Sequence, residues 1–235
     1  MLKQITLNGK KVTYELQRKK VKNVNLRIKA DGTVTVSANT RVSEKIIEDF
    51  MRMKSDFILN ALARCEELRK NAPKPKEYAD GEVFKVLGAD MPLRIFEGNK
   101  NTAECDGTCI KLTVKDMGDT ELKKKTLDKW FEAVCRETVK LLCDKVYPSF
   151  EKYGVEYPIL KYRHMKSRWG SCQPKGGVLT FNYALVHTPI QYIEYVVYHE
   201  FTHFLEPNHS KAFYDRLVSF LPDWQERKKL LEKMI

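Results

Sequence analysis

The sequence predicts an α+β fold, with a β-rich N-terminal region followed by a C-terminal core built around one capped helix. Three observations predict it. Over residues 1–40, apolar and polar side chains alternate in short runs broken by Asn8-Gly9 and Asp31-Gly32, both hairpin dipeptides. From Ser43, and again over 119–153, apolar residues recur at three- and four-residue steps, the period of a helix with one buried face. Near the C-terminal end, a further apolar segment opens with Thr188 and Pro189 and closes at Pro207, helix start and stop signals.

Taken in order, Ile5-Thr6-Leu7 and Val12-Thr13-Tyr14-Glu15-Leu16 flank the first turn, and Val24–Ile28 and Val34–Val36 flank the second. Between these pairs lies Arg18-Lys19-Lys20-Val21-Lys22, the densest positive stretch, expected at a strand edge where lysines discourage edge pairing. Ile46, Ile47, Phe50, Met53, Phe57, Ile58 and Leu59 mark a helix, which fades into Asn71-Ala72-Pro73-Lys74-Pro75-Lys76, a linker by composition. A strand-rich stretch follows from Gly81 to Val114, with turns at Gly88, Gly98-Asn99 and Asp106-Gly107. After the 119–153 helix, segments 159–165 and 178–182 read as a hairpin around the Gly170 and Gly176-Gly177 turns. Thr188, Pro189 and Gln191 form a capping box with proline at the first helical position, and Ser210 caps another helix running through Leu221. A charged amphipathic helix from Pro222 completes the pattern, and no internal repeat is visible in the residues. The expected division is 1–74, hairpins plus helix; 75–118, a β-rich middle region; and 119–235, the core.

With 235 residues the chain can bury a core without disulfides or a structural metal. Its 43% hydrophobic and 31% charged residues exclude wholesale disorder and fibrous repeats. The net charge of +11 favours polyanionic company and leaves the reaction type open. No stretch of about 18 apolar residues and no signal-peptide core occurs, so no membrane span and a cytoplasmic location are expected. The six cysteines (Cys65, Cys105, Cys109, Cys135, Cys143, Cys172) are too scattered for a disulfide scaffold. Cys105 and Cys109 flank Asp106-Gly107-Thr108, which reads as a hairpin rather than a metal pair.

The chemistry concentrates in His199-Glu200-Phe201-Thr202-His203, an H-E-x-x-H segment. Histidines four apart share one helical face, so both imidazoles can bind one Zn2+, and Glu200 lies about 100° round the helix, within reach of a metal-bound water. His209 falls just past Pro207, where a turn can return it to the same ion. Three protein ligands leave a fourth position open, as a catalytic zinc requires. A carboxylate ligand from Glu226 is disfavoured because it lies in a lysine-rich segment after two breaks. Glu206 and Asp215 read as surface groups or as partners orienting an imidazole.

The helix with its third histidine, continuing as Asn208-His209-Ser210 with an aromatic at Phe213, resembles the YgjP-like and SprT-like zinc metallopeptidases. Lys166-Ser167-Arg168-Trp169-Gly170-Ser171-Cys172, Asn182 and the Pro-Asp-Trp ending at Trp224 carry the YgjP-like side of the resemblance. A metzincin is excluded, since Glu206 stands where that pattern has glycine and no Met-turn follows. The resemblance implies a zincin-like C-terminal core with a metal-binding active-site helix, one zinc per chain on His199, His203 and His209, and Glu200 as general base toward a peptide or protein substrate. An edge strand would receive extended substrate by strand addition.

Arg168 can polarise a substrate oxyanion, and Trp169 and Tyr214 are further candidate substrate or oxyanion contacts. A packed thiol at Cys172, a core Tyr183 and structural His164 and His187 are the plainer readings of those residues. Two alternatives accompany the peptidase: metal-dependent hydrolysis of an anionic substrate such as a nucleoside triphosphate, and proteolysis of DNA-associated proteins. In the second, Arg18–Lys22 would supply weak, salt-dependent, non-specific nucleic-acid binding.

Overall fold

The computed structural model describes residues 1–29, 31–70 and 76–234. It divides the chain into two compact units, Met1–Pro75 and Lys76–Ile235. Of the expected linker, Asn71–Pro75 lie outside the described residues. Of the region expected at 75–118, residues 76–118 belong to the same unit as everything after them.

In the first unit, β1 (Leu2–Leu7) and β2 (Lys10–Arg18) form an antiparallel hairpin. Asn8 and Gly9 both adopt positive φ, 45° and 78°, which twists the turn with the strands it joins. β4 (Val34–Ala38) lies parallel to β2, and β3 (Asn25–Ile28) pairs antiparallel with β4, giving the order β1-β2-β4-β3. Ile5, Leu7, Val12, Tyr14, Leu16, Val34, Val36 and Ala38 bury with Ile47 and Met51 of α1 (Glu44–Met53) and Ile58 of α2 (Ser55–Lys70). Ser43 caps α1 by accepting from the Ile46 amide at 3.4 Å. The basic run follows β2, an inner strand rather than an edge. Arg18 is spent on structure: its guanidinium donates to the Asn39 and Val42 carbonyls at 2.8 and 2.6 Å.

The second unit opens with the same plan. β5 (Val83–Val86) and β6 (Ala89–Glu97) form a hairpin, β8 (Ile110–Val114) runs parallel to β6, and β7 (Thr102–Cys105) pairs antiparallel with β8, in the order β5-β6-β8-β7. The equivalences reach single residues. Leu87 and Gly88 repeat the positive φ of Asn8 and Gly9, at 49° and 88°. The Asp31 and Asp106 carboxylates each accept the amide of the threonine two residues on, at 2.8 and 2.9 Å. Asp119 stands where Ser43 does and caps α3 (Thr120–Val146) through the Leu122 amide. The chain therefore does contain an internal repeat, ββββα, which the residues conceal. Alternation and turn geometry reproduce the topology, whereas Ile5-Thr6-Leu7-Asn8-Gly9 and Phe84-Lys85-Val86-Leu87-Gly88 share only their pattern and the glycine.

Beyond the repeat, α3 packs against the site region through Leu127, Phe131, Cys135, Val139 and Cys143. Pro148 opens the short α4 (Pro148–Glu151). The expected 159–165/178–182 hairpin is corrected. β9 (Ile159–Arg163) lies parallel to β11 (Val178–Asn182), and the hairpin partner of β11 is β10 (Gly170–Gln173), in the order β10-β11-β9. The turn through Gly177, at φ 59°, joins β10 to β11 directly, whereas β9 reaches β11 only through the whole of residues 164–177, with β10 inside that connection, which is long enough for a parallel return.

α5 (Ile190–Thr202) carries the H-E-x-x-H segment. Thr188 does not cap it: its hydroxyl donates back to the Leu185 carbonyl at 2.8 Å, and Pro189 holds the cap position. Nor does Pro207 end it. The helix stops at Thr202 with His203 at the C-cap, and turns closed by the Leu205 and Glu206 amides onto the Thr202 carbonyl follow. The β5–β6 tip seats the start of this helix, since the Leu87 amide donates to the Val186 carbonyl at 2.7 Å and a Cβ on Gly88 would lie 2.8 Å from Pro189. α6 (Lys211–Phe220), capped by Ser210, and α7 (Trp224–Leu231) complete the unit. No helix among the described residues is long and apolar enough to cross a membrane.

Candidate metal centre

Because α5 ends at Thr202, the two histidines of the motif occupy its last turn, where the chain can fold back. It does so through Pro207 and Asn208, and Ser210 starts α6 in a direction that brings His209 over the end of α5. The ring centroids of His199, His203 and His209 lie 4.7–5.0 Å apart pairwise, and one donor nitrogen from each falls within 4.8 Å of the others. Phe213, fully buried one turn into α6, packs its ring 4.7–5.0 Å from all three and forms the floor of the cluster.

The protonation chemistry suits a cation. Burial, then the neighbouring His203 and His209, pushes the His199 imidazolium down to about 3, so the ring is neutral at any ordinary pH. Burial likewise lowers His203, whose Nδ1 donates to the Glu206 carbonyl at 3.3 Å and leaves Nε2 with its lone pair. His199 Nδ1 is buried without a hydrogen-bond partner. The Nε2 atoms of His199 and His209 stand 3.0 Å apart. Two lone pairs tolerate that spacing only with positive charge between them, a proton or a metal ion. Tetrahedral zinc with nitrogen ligands separates its donors by about 3.3 Å. The three residues fit such an ion.

Glu200 lies on the side of α5 that packs against β10. It is 5% exposed, and burial raises its carboxyl to about 8 against a lowering pull from Arg168. The contact is close: a Cβ built on Gly170 would lie 2.6 Å from Glu200 Oε1. A cleft of about 580 Å3 opens over this carboxyl and the three imidazoles, walled by Arg168, Trp169, Tyr195 and Pro207.

The structure thus brings His199, Glu200, His203, His209, Arg168 and Trp169 to one cleft, and treats Tyr214 otherwise. Tyr214 stacks between His209 and Trp224, with rings 17° from parallel to the indole, and is not among the cleft-lining residues. Glu226 is exposed on α7, and Asp215 pairs with Lys211 at 3.1 Å on the surface. Cys172 lines the cleft, but burial and the nearby Glu200 push its thiol up to about 12, so it stays a neutral thiol. His164 meets Glu132, His187 meets the Lys85 carbonyl, and Tyr183 meets Arg136, all away from the cleft. Single-residue chemistry assigned Gly170 and Phe213 no role in the site, since their importance is their position; the available signal was their place in the segments that carry the family resemblance.

A model of the YgjP-like metallopeptidase domain matches residues 22–234. The chain belongs to the YgjP-like family. It is therefore an enzyme, a hydrolase of a metallopeptidase family, which implies a catalytic metal and a protein or peptide substrate. Among solved structures, the metallopeptidase zymogen of Pyrococcus abyssi abylysin is similar at a TM-score of 0.37 and 19% identity, over 41% of this chain and 94% of that one. The zymogen of Methanocaldococcus jannaschii jannalysin is similar at 0.36 and 22%, over 41% and 97%. No curated protein matches the chain.

Proposed function

We propose that the chain is a zinc-dependent peptidase in which His199, His203 and His209 hold one ion and Glu200 is the general base. The observation that carries this reading is the convergence of three imidazoles beside a buried carboxyl in a single cleft. Bound there, zinc supplies Lewis acidity that polarises the scissile carbonyl and acidifies the attacking water. A cation held on the three imidazoles would lower the raised Glu200 carboxyl, so that its ionised oxygen can take a proton from the attacking water and pass it to the leaving amide nitrogen. Packing of Glu200 against Gly170 of β10 limits the movement of its carboxyl at the cleft wall. Arg168, on the rim, offers its guanidinium to the oxygen that becomes negative as the carbonyl is attacked. β10 is an edge strand of its sheet and flanks the cleft, so an extended substrate can add to its free side with its backbone held by strand hydrogen bonds.

Metal analysis of the purified protein tests the ligand set. About one zinc per chain is expected, and a His199→Ala, His203→Ala double variant should lose most of it. Glu200→Gln should retain the zinc and lose peptide hydrolysis. Full zinc in the double variant would remove these histidines as ligands, and an active Glu200→Gln would remove the base.

A further inference from the structure

Asn182 ends β11, is 4% exposed, and uses every hydrogen-bonding site of its side chain. Its Oδ1 accepts from the Met165 and Ala184 amides at 3.2 and 3.1 Å, and its Nδ2 donates to the Met165 and Arg168 carbonyls at 2.9 and 2.8 Å. Its own amide donates to the Trp169 carbonyl at 2.9 Å. One residue thus grips the 165–169 segment at both ends. That segment otherwise crosses from β9 to β10 outside any strand or helix, and Lys166, Ser167 and Arg168 are exposed. Its last two residues are the cleft wall, and Gly170, which covers Glu200, follows at once.

We infer that Asn182 is a positioning residue of the hydrolytic reaction: it fixes the Arg168 backbone so that the guanidinium faces the cleft that Glu200 lines. This rests on the peptidase reading above. The side chain itself does not reach substrate, because both of its polar atoms are already spent inward. Only an amide supplies two acceptor and two donor bonds in this shape. Aspartate preserves the size and the acceptance from Met165 and Ala184, yet it cannot donate to Met165 and Arg168. Loss of those two bonds frees the segment by a fraction of an ångström to about 1 Å, a displacement that costs catalysis about 10²-fold when it moves a reacting group.

The test is a cycle of Asn182→Asp and Arg168→Ala, read with a peptide substrate on zinc-loaded protein. Asn182→Asp should lower kcat by about 10-fold to 100-fold with KM within about twofold and the zinc content unchanged. On the Arg168→Ala background the same change should cost less than about threefold, because the residue through which it acts is gone. Equal losses on both backgrounds, or a loss of zinc, would overturn the inference by showing a general structural role. Amide hydrogen exchange on the unaltered protein gives a second reading that needs no variant and no activity. The Met165 amide should be protected like those of β11, and Asn182→Ala, which removes its acceptor, should release it while leaving α5 protected. A Met165 amide that exchanges as fast as that of exposed Lys166 contradicts the inference even if the peptidase reading stands. Conversely, a protected Met165 in a protein without peptidase activity overturns the peptidase reading alone.

Discussion

Adding one methyl group at Gly170 should separate the base from the metal ligands. An alanine Cβ there would lie 2.6, 2.8 and 2.9 Å from Oε1, Cγ and Cδ of Glu200, against an ordinary contact of at least 3.4 Å. Subtracting, 3.4 minus 2.6 requires the carboxylate to retreat by about 0.8 Å. Gly170 is paired in β10 with Phe181 and its φ is not in the left-handed region, so alanine meets no backbone strain. Elsewhere such a change would stabilise the chain by about 0.4–1 kcal/mol through the unfolded state. Here the clash opposes that gain. A shift of this size at a reacting group costs about 10²-fold in kcat/KM, or about 2.7 kcal/mol of transition-state stabilisation. The imidazoles lie elsewhere on α5 and should keep their ion. Steady-state hydrolysis of a peptide, zinc content and a thermal melt measured on the same Gly170→Ala preparation make the assay. Wild-type kcat/KM would refute the reasoning, and so would zinc loss in parallel with activity, since it would mean that the strand supports the ligand cluster rather than the base.

Phe213 is fully buried against three imidazoles, so Phe213→Ala should cost about 3–5 kcal/mol in stability, measured by denaturant unfolding. The milder Phe213→Leu should weaken zinc retention about 10-fold in a chelator competition, and unaltered retention would show that the floor does not orient the rings. Glu194 on α5 accepts from Lys145 of α3 at 2.8 Å and Arg227 of α7 at 2.6 Å. Burial raises its carboxyl, but these two bonds outweigh it and hold the group below its usual 4.5. A depressed folded-state value means that the stabilisation is complete above 4.5 and fades as pH falls through the folded value. Glu194→Gln should therefore lose about 1–2 kcal/mol at pH 7 and converge with the wild type in acid; a pH-independent difference would assign the loss to packing.

Local periodicity carried much of the fold. The hairpin tips at Asn8-Gly9 and Asp106-Gly107, the alternation of β1 and β2, and the serine cap of α6 depend on neighbours a few residues away, and all could be read in order. Where an element depended on distant partners, reading failed. β9 took the parallel side of β11 because β10 occupied the hairpin side, and Thr188 turned its hydroxyl to Leu185 rather than to α5. The basic run fell after an inner strand because β4 returned alongside β2, which no residue of the run encodes.

The sequence by itself determined which groups are available for chemistry: two imidazoles one helical turn apart, a carboxylate between them, and a third histidine beyond a proline. Backbone geometry alone makes the first two neighbours. The tertiary structure decided that the helix ends before the second histidine's turn is complete, that α6 brings His209 back over Phe213, and that β10 presses a glycine onto Glu200. It also decided that Tyr214 stacks on Trp224 instead of facing the cleft. The physical reason is one of range. Helical spacing follows from torsions that each residue sets locally, whereas burial, the raised carboxyl of Glu200 and the neutral His199 come from side chains far apart in sequence excluding water together.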